Sequence, residues 1–427
     1  MAMWGSTALA FIGTIVAARA LGPDGFGEVV LAVATATLIG TLLDLTLEDA
    51  VVYHGYRALE AGHMRALRTL IRRSFALDLA IGVVVAAVII AFAGPLADLV
   101  SGGRLGADIL RLAALAGLAA TVDGTTGGVL LVAGRADLRG WIMLVTNAFR
   151  LGGVVIAVQF GGAEAVVVAY AVATAIGSLF QASLAWAVGW RHWQGRGGAE
   201  AAPVGVRVLV SFGFHTSLST TLFSGRDMLI PILLGSLAGP AAVGLFRVAL
   251  LPVTAVSVAG GPVRLLLLPE QARLAAGNRF ETLWRSIRAH TLAGLAVGVP
   301  GAVIGWFALE TLIPLLYSEA FTGAVDASRI LLIAAVAQLA GSWWKTLPTA
   351  LGRPELRTVI AASSFALTIA LLILFADRGS EGAALAYSLA AVITTGAWFA
   401  LARPLLRRAE ASAVGAQPSA SQAHTPL

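Results

Sequence analysis

The stretch Leu21-Gly22-Pro23-Asp24-Gly25-Phe26-Gly27 recurs later in the chain as Ala238-Gly239-Pro240-Ala241-Ala242-Val243-Gly244. Pro23 thus corresponds to Pro240, 217 residues further on, and the motif beginning at Gly134 recurs at Gly352 with nearly the same offset, 218 residues. The chain therefore consists of two copies of one unit. Such a duplication in an apolar chain is typical of transporters, in which two homologous bundles enclose a substrate cavity.

The composition places the chain in a lipid bilayer. Hydrophobic residues make up 58% of its 427 residues and charged residues 12%, and the mean hydropathy is +0.86. About twelve apolar runs have the length of about 18 to 25 residues that crosses roughly 30 Å of hydrocarbon. They are residues 4–21, 27–52, 74–95, 108–133, 141–160, 165–190, 209–236, 245–267, 289–313, 329–350, 358–376 and 382–402.

The net charge of +6 reflects membrane topology rather than a nucleic-acid partner. The 29 lysines and arginines are not gathered in one patch, and most follow the even-numbered runs, as in the loop that holds Arg57, Arg65, Arg68, Arg72 and Arg73. Positive charge marks the cytoplasmic side of membrane proteins. We therefore expect the even-numbered loops and both termini to be cytoplasmic, and we expect no nucleic-acid partner.

The repeat and the spans together predict an all-α, polytopic membrane protein of two six-helix lobes. Because each copy holds six spans, the copies keep the same orientation and form a parallel repeat. We expect an N-terminal lobe over 1–190, a cytoplasmic linker over 191–208, a C-terminal lobe over 209–402 and a disordered cytoplasmic tail over 403–427. The matching loops 62–73 and 277–288 are predicted to be short interfacial helices.

The sequence indicates neither an enzyme nor a metal protein. No loop is long enough for a soluble catalytic domain, and no hydrolase pattern is present. The chain has no cysteine, and its six histidines lack metal-ligand spacing. Glycine-rich stretches inside the spans match no phosphate-binding loop. We expect no catalytic residue, no metal and no cofactor.

The strongest candidate binding group is Arg226, well inside the seventh span. At 100° per residue, His215, Ser219 and Arg226 fall within about 40° of one another and form a polar stripe on an apolar helix. Charged groups at such depth normally face water or a partner. The alternative is a structural ion pair of Arg226 with Asp227, Asp44 or Asp123.

Two further groups are candidates for binding substrate. Arg150 lies midway along the fifth span, too deep to reach the interface easily. In the tenth span, Gln338, Ser342 and Lys345 are spaced to share one helix face, and Lys345 is the only lysine of the chain. Lys345 could equally extend its side chain to the cytoplasmic interface.

Buried carboxylates are candidates for ion coupling, because burial shifts a carboxyl toward proton binding at working pH. Asp44 and Glu48 share one face of the second span, and Asp123 lies midway along the fourth. Asp227, next to Arg226, completes the set. A structural role as a partner of Arg150 or Arg226 is the alternative for these acids.

The segment Ala18-Arg19-Ala20-Leu21-Gly22-Pro23-Asp24-Gly25-Phe26-Gly27 resembles the signature after the first helix of polysaccharide flippases. These belong to the multidrug/oligosaccharidyl-lipid/polysaccharide exporter superfamily. Further matches lie at Asp44-Leu45-Thr46-Leu47-Glu48, in Gly225-Arg226-Asp227-Met228-Leu229-Ile230, in the second copy from Ala238 to Ala249, and in Leu316-Tyr317-Ser318-Glu319-Ala320-Phe321 and Ala350-Leu351-Gly352-Arg353-Pro354.

The resemblance implies a V-shaped pair of lobes similar to multidrug transporters, in a bacterial cytoplasmic membrane. It implies a polyprenyl-diphosphate-linked oligosaccharide as substrate, moved to the outer leaflet by alternating access, with membrane lipid and other polysaccharide-assembly proteins as partners. Arg226, Arg150 and Lys345 could supply the cations that a diphosphate needs. The alternatives are a cation-coupled multidrug exporter on the same fold and a membrane-embedded polysaccharide ligase or polymerase, which the short outer loops disfavour.

Overall fold

A computed structural model describes residues 2–43, 47–103, 106–193, 205–210, 228–351 and 354–415. Within these ranges every regular element is helical, which confirms the predicted all-α class. The longer helices are α1 (Ala2–Leu43), α2 (Leu47–Glu60), α3 (Met64–Ala91), α4 (Ala93–Ser101), α5 (Ala107–Ala120), α6 (Asp123–Val132), α7 (Ala136–Phe160), α8 (Ala163–Trp193), α9 (Met228–Ala238), α10 (Pro240–Ala249), α11 (Leu251–Ala259), α12 (Gly261–Ala276), α13 (Phe280–Tyr317), α14 (Ala324–Ala340), α15 (Leu347–Ala350), α16 (Pro354–Leu374) and α17 (Gly379–Gly415).

Among the described residues, eight helical stretches are long and apolar enough to cross a membrane, so the chain is a multi-span membrane protein. They are Gly5–Ile39, Met64–Ala91, Ala107–Val132, Ala136–Phe160, Ala163–Gly189, Pro240–Ala259, Phe280–Tyr317 and Ala376–Ala411. Two shorter apolar helices, Met228–Ala238 and Ala362–Leu374, fall in the predicted seventh and eleventh spans. The first predicted span, 4–21, and most of the second, 27–52, lie in α1 on either side of a kink at Gly22.

The backbone reproduces the repeat at the two Gly-Pro motifs. Gly22 interrupts α1 with φ 66° and ψ −178°, and Gly239, its counterpart, separates α9 from α10 with φ 87°. Side chains other than hydrogen strongly disfavour positive φ, and a following proline keeps the preceding residue out of the helical region. The Gly-Pro pair therefore breaks the helix at the same place in both copies.

A second match lies at the ends of α2 and α12. Gly62 has φ 72° and Asn278 has φ 53°. In both places the next residue's N–H reaches back to a helical carbonyl, His63 to Ala58 at 2.8 Å and Arg279 to Leu274 at 2.9 Å, as in a Schellman motif.

The predicted interfacial helices at 62–73 and 277–288 are corrected by the structure. Past the turn, both segments continue directly into long helices, α3 from Met64 and α13 from Phe280. Both segments are largely the first turns of these helices, because nothing after the left-handed residue interrupts the helical hydrogen bonding.

The chain packs into two compact units: unit 1 holds Met1–Arg247 and Leu316–Phe321, and unit 2 holds Val248–Leu315 and Thr322–Leu427. In unit 1, α1 packs along α7, α7 along α8, and α2 against α3 and α6. In unit 2, α17 packs against α14 and α16, and α11 against α14. The lobes over 1–190 and 209–402 stay a prediction.

Two of the motifs that carry the family resemblance meet inside unit 1. The ring of Phe26, from the first Gly-Pro motif, lies edge-on to Phe321 with 6.4 Å between centroids. Phe321 also lies 6.0 Å from the ring of Tyr317, and all three rings are buried. Distant sequence motifs thus form one packed cluster.

Candidate functional site

A cavity of about 370 Å³ lies inside unit 1, between α1, α3, α5, α7 and α8. Each of these helices belongs to a candidate membrane span. The lining includes Thr37, Thr41, Asp78, Thr121, Arg150, Tyr170 and Thr174. A pocket with this many polar groups is unusual within membrane spans, because such groups are costly in hydrocarbon.

Arg150, which the sequence analysis proposed as a binding group, lines this cavity from α7. Its Cζ lies 4.9 Å from the ring centre of Tyr170, a cation–π geometry. The guanidinium donates at 3.4 Å to the Asn147 amide oxygen and at 3.4 Å to the Thr174 hydroxyl. Both hydrogen bonds are long and therefore weak.

Among the residues that the structure describes, no acid forms an ion pair with Arg150. Its Nε atom is buried and has no hydrogen-bond partner. Across the described ranges Arg150 forms no ion pair, so the structural alternative of a carboxylate partner for Arg150 finds no support there. A half-buried guanidinium with spare donors is suited to bind an oxyanion.

Asp78 lines the same cavity from α3, and the sequence analysis missed it. Its side chain is 4% exposed, and its Oδ2 accepts the backbone N–H of Thr125 at 3.2 Å. Thr125 lies in the first turn of α6, where the helix dipole favours a negative charge. The signal that could have found it is a single acid inside the otherwise apolar run 74–95.

Glu48 and Asp123, predicted as ion-coupling groups, lie in a separate polar cluster of unit 1. Both Glu48 carboxylate oxygens accept hydrogen bonds from the Arg139 guanidinium, the second at 3.0 Å. Gln181 donates at 2.8 Å to the backbone carbonyl of Asp123 and at 2.9 Å to the Thr126 hydroxyl. Glu48 is therefore half of an ion pair that ties α2 to α7.

One carboxylate oxygen of Asp123 lacks a hydrogen-bond partner among the described residues. Its Oδ1 atom and the Ser178 hydroxyl are both buried and make no hydrogen bond in the described part of the chain.

The structure interrupts the helix on which Gln338, Ser342 and Lys345 were predicted to share a face. Helix α14 ends at Ala340, and Ser342–Lys345 form a separate 3-10 turn. Gln338 donates at 2.9 Å to Ser257 on α11, and Ser342 is half-buried. Two hydrogen bonds hold buried Trp343 at this turn. Its indole N–H donates to the Thr291 hydroxyl at 2.9 Å, and its backbone carbonyl accepts from the Gln271 side-chain amide at 3.3 Å.

Several predicted site residues lie outside the described residues. They are Arg226, Asp227, His215, Ser219 and Asp44. For Lys345 the structure describes the backbone alone. The stripe on the seventh span therefore stays a prediction.

Solved transporters share this architecture. An inward-facing multidrug resistance MATE family transporter of the MOP superfamily is 14% identical, with 95% of each chain covered and a TM-score of 0.75. The Vibrio cholerae MATE transporter in the bent form is 18% identical, with 96% of each chain covered and a TM-score of 0.58. A MOP superfamily transporter from Pyrococcus furiosus is 16% identical over 96% of this chain and 94% of that chain, with a TM-score of 0.61, and is described as having a binding pocket of reverse polarity.

The helical architecture and these likenesses define a multi-span membrane protein with a fold similar to that of MATE transporters. Within that class, residues 1–263, more than half of the 427, match the model of the family described as polysaccharide biosynthesis protein. The chain belongs to that family. No curated protein matches the chain significantly.

Proposed function

We propose that this protein is a flippase that moves a polyprenyl-diphosphate-linked oligosaccharide across the bacterial cytoplasmic membrane by alternating access. The observation that carries the proposal is Arg150, a cation inside the membrane-spanning part of unit 1 that faces a polar cavity and pairs with no described carboxylate. Membership of a polysaccharide biosynthesis family supports a saccharide-bearing substrate over other anions.

The size of the cavity limits what it binds. At about 370 Å³ it lies near the lower end of the range for small-molecule sites, about 300–1,000 Å³. It suits a phosphate or diphosphate group better than a whole oligosaccharide. We infer that Arg150 binds the diphosphate, while the sugar occupies water and the polyprenyl chain stays in lipid.

The rest of the predicted site belongs to the same proposal. Arg226 with His215 and Ser219, and the group Lys345, Gln338 and Ser342, are proposed to contact substrate. The carboxylates proposed for ion coupling are Asp44, Asp123, Asp227 and Glu48, the last of which also forms an ion pair with Arg139. Cytoplasmic termini, the two six-helix lobes and contacts with other polysaccharide-assembly proteins are proposed as well.

The test measures flipping of a fluorescent polyprenyl-diphosphate saccharide in proteoliposomes. We expect Arg150→Ala to abolish flux, Arg150→Lys to retain part of it, and Arg226→Ala to abolish it with normal membrane insertion. The matched control is Arg111→Ala, which removes an exposed arginine paired with Asp108. Wild-type flux in Arg150→Ala would remove Arg150 from the mechanism.

A second candidate, cation-coupled multidrug export, is favoured by Asp78, a buried acid that lines the same cavity. The same liposomes decide between the two. Transport of small cationic dyes that depends on Asp78 and Asp123, without flux of the lipid-linked saccharide, would establish the exporter instead.

A further inference from the structure

Unit 2 contains an apolar groove that the proposed mechanism does not use. It has a volume of about 1000 Å³ and lies between α13, α14 and α17. Its lining is almost entirely aliphatic and aromatic, with residues such as Leu295, Val299, Phe307, Val336 and Phe399. Because these helices include candidate membrane spans, the expected occupant is a hydrocarbon chain.

The groove is nearly as long as the bilayer core is thick. It is lined by α13 from Arg288 to Trp306 and Phe307. Eighteen residues of helix, from Arg288 to Trp306, rise about 27 Å, close to the roughly 30 Å of a hydrocarbon core. An ordinary phospholipid chain spans one leaflet, about half that distance, and would fill only part of the groove.

The two ends of the groove differ in available charge. At one end, Arg329 is neutralised by Glu310 at 2.8 Å and Asp326 at 3.1 Å, and its guanidinium lies 5.2 Å from the ring centre of Trp306. At the other end, Arg288 is exposed and makes no ion pair with a described carboxylate. Only the Arg288 end can attract an anion.

The Arg288 end is also built like a membrane interface. Trp284 packs on Phe399 with ring centroids 5.4 Å apart, Phe399 lies 6.4 Å from Trp343, and the Arg403 guanidinium lies 5.9 Å from the Trp284 ring centre. Tryptophan and arginine together are typical of the headgroup region. The charge pattern of the sequence predicts this end to be cytoplasmic.

We infer that this groove binds the polyprenyl chain of the substrate while the diphosphate is still near Arg288 at the cytoplasmic end, before the diphosphate enters the cavity and binds Arg150. One long chain with one anionic headgroup matches one long groove with one available cation. Two phospholipids from opposite leaflets would instead place an anion against Arg329, which its two acids already neutralise. The inference rests on the proposed function for the identity of the lipid, and its test does not depend on transport.

The experiment measures binding of sugar-free undecaprenyl diphosphate to the purified full-length protein by native mass spectrometry. Farnesyl diphosphate supplies the same headgroup on a short chain, and phosphatidylglycerol supplies an ordinary anionic lipid. We expect undecaprenyl diphosphate to bind at least about tenfold more tightly than either, because only the long chain fills the groove.

Two matched pairs of variants locate the site. Val299→Trp fills the groove, whereas Val297→Trp adds the same bulk two residues away, on an exposed side chain that does not line it. Arg288→Ala removes the available cation, whereas Arg285→Ala removes a neighbouring arginine that does not line the groove. We expect Val299→Trp and Arg288→Ala each to weaken undecaprenyl diphosphate binding about tenfold, and the two controls to leave it unchanged.

Equal affinity of Val299→Trp and Val297→Trp for undecaprenyl diphosphate overturns the inference. Equal affinity of the unmodified protein for undecaprenyl diphosphate and phosphatidylglycerol also overturns it, because the groove would then bind ordinary membrane lipid. If Val299→Trp fails to fold, Val303→Trp, also a groove residue, provides the same comparison. If the proteoliposomes show no flipping but the binding pattern holds, the proposed function fails and the lipid site stands. Normal flipping with no selective binding would instead reject the lipid site and leave the proposed function standing.

Discussion

Gly27 packs directly on the backbone of Pro240, so that a β-carbon built on Gly27 would overlap the Pro240 carbonyl oxygen. The contact is reciprocal, because a β-carbon on Gly244 would overlap the Pro23 carbonyl oxygen. Gly27 corresponds to Gly244 in the repeat, and Pro23 to Pro240. The two copies of the motif therefore contact each other through equivalent atoms, at a distance that only glycine allows.

Gly27→Ala is expected to destabilise the protein by about 1–3 kcal/mol, because the added methyl group forces two backbones apart. The measurement is thermal unfolding of the purified protein in detergent. Gly152→Ala is the control: it lies within α7 and a β-carbon there meets nothing within 4 Å, so it should be neutral or slightly stabilising. Equal unfolding temperatures for the two variants would show that the close contact is absent from the folded protein.

Asp78→Asn is expected to keep the fold and to strengthen anion binding to the cavity. The amide oxygen of asparagine can still accept the Thr125 N–H, while the loss of a negative charge that shares the cavity with Arg150 favours an incoming anion. We expect inorganic diphosphate to bind about threefold or more tightly. Asp78→Ala, which removes the acceptor, should cost about 1–2 kcal/mol of stability, as helix caps do.

The binding gain should vanish in the Asp78→Asn, Arg150→Ala double variant if Arg150 is the anion site. Unchanged diphosphate affinity in Asp78→Asn, together with loss of dye transport, would favour the exporter.

Exchanging the charges of Glu48 and Arg139 tests whether Glu48 is structural. Either single reversal, Glu48→Arg or Arg139→Glu, leaves two like charges together in a partly buried pair and should reduce the yield of folded protein. The double variant should recover it, with a coupling of about 0.5–3 kcal/mol between the sites. If the double variant folds normally but does not transport, Glu48 has a role in ion coupling in addition to its ion pair with Arg139.

The absence of cysteine makes the topology directly testable. Glu60 and Ala276 occupy equivalent exposed positions, each two residues before one of the matching turns at Gly62 and Asn278. We therefore expect Glu60→Cys and Ala276→Cys to react with a membrane-impermeant thiol reagent only from the cytoplasmic side. Gly162→Cys, in the exposed turn between α7 and α8, should react only from outside. Labelling of Glu60→Cys and Ala276→Cys from opposite sides would contradict the parallel repeat.

The features that can be recognised from the sequence alone are those with a local cause. Gly22 and Gly239 break the chain in the same way because a positive φ before a proline is set by two adjacent residues. Arg150 could be singled out because a guanidinium deep in an apolar run is costly wherever it points. Neither feature depends on what packs against these residues.

The features that the sequence did not reveal depend on distant partners. Glu48 and Arg139 are far apart in the chain, and nothing in either segment indicates that they pair. The break after Ala340 was missed because Trp343 and Trp344 continue the apolar run, although the indole of Trp343 needs Thr291 on another helix. Asp78 was missed because one acid hardly lowers the hydropathy of the run around it.

The reciprocal contact between Gly27 and Pro240 and between Gly244 and Pro23 has the form of an isologous dimer interface, in which residue i meets j and j meets i. Two separate half-length chains carrying this motif could have made the same contact with each other. In this protein a single polypeptide supplies both sides of that contact, so a change at Gly27 acts on the packing against Pro240 and a change at Gly244 acts on the equivalent packing against Pro23.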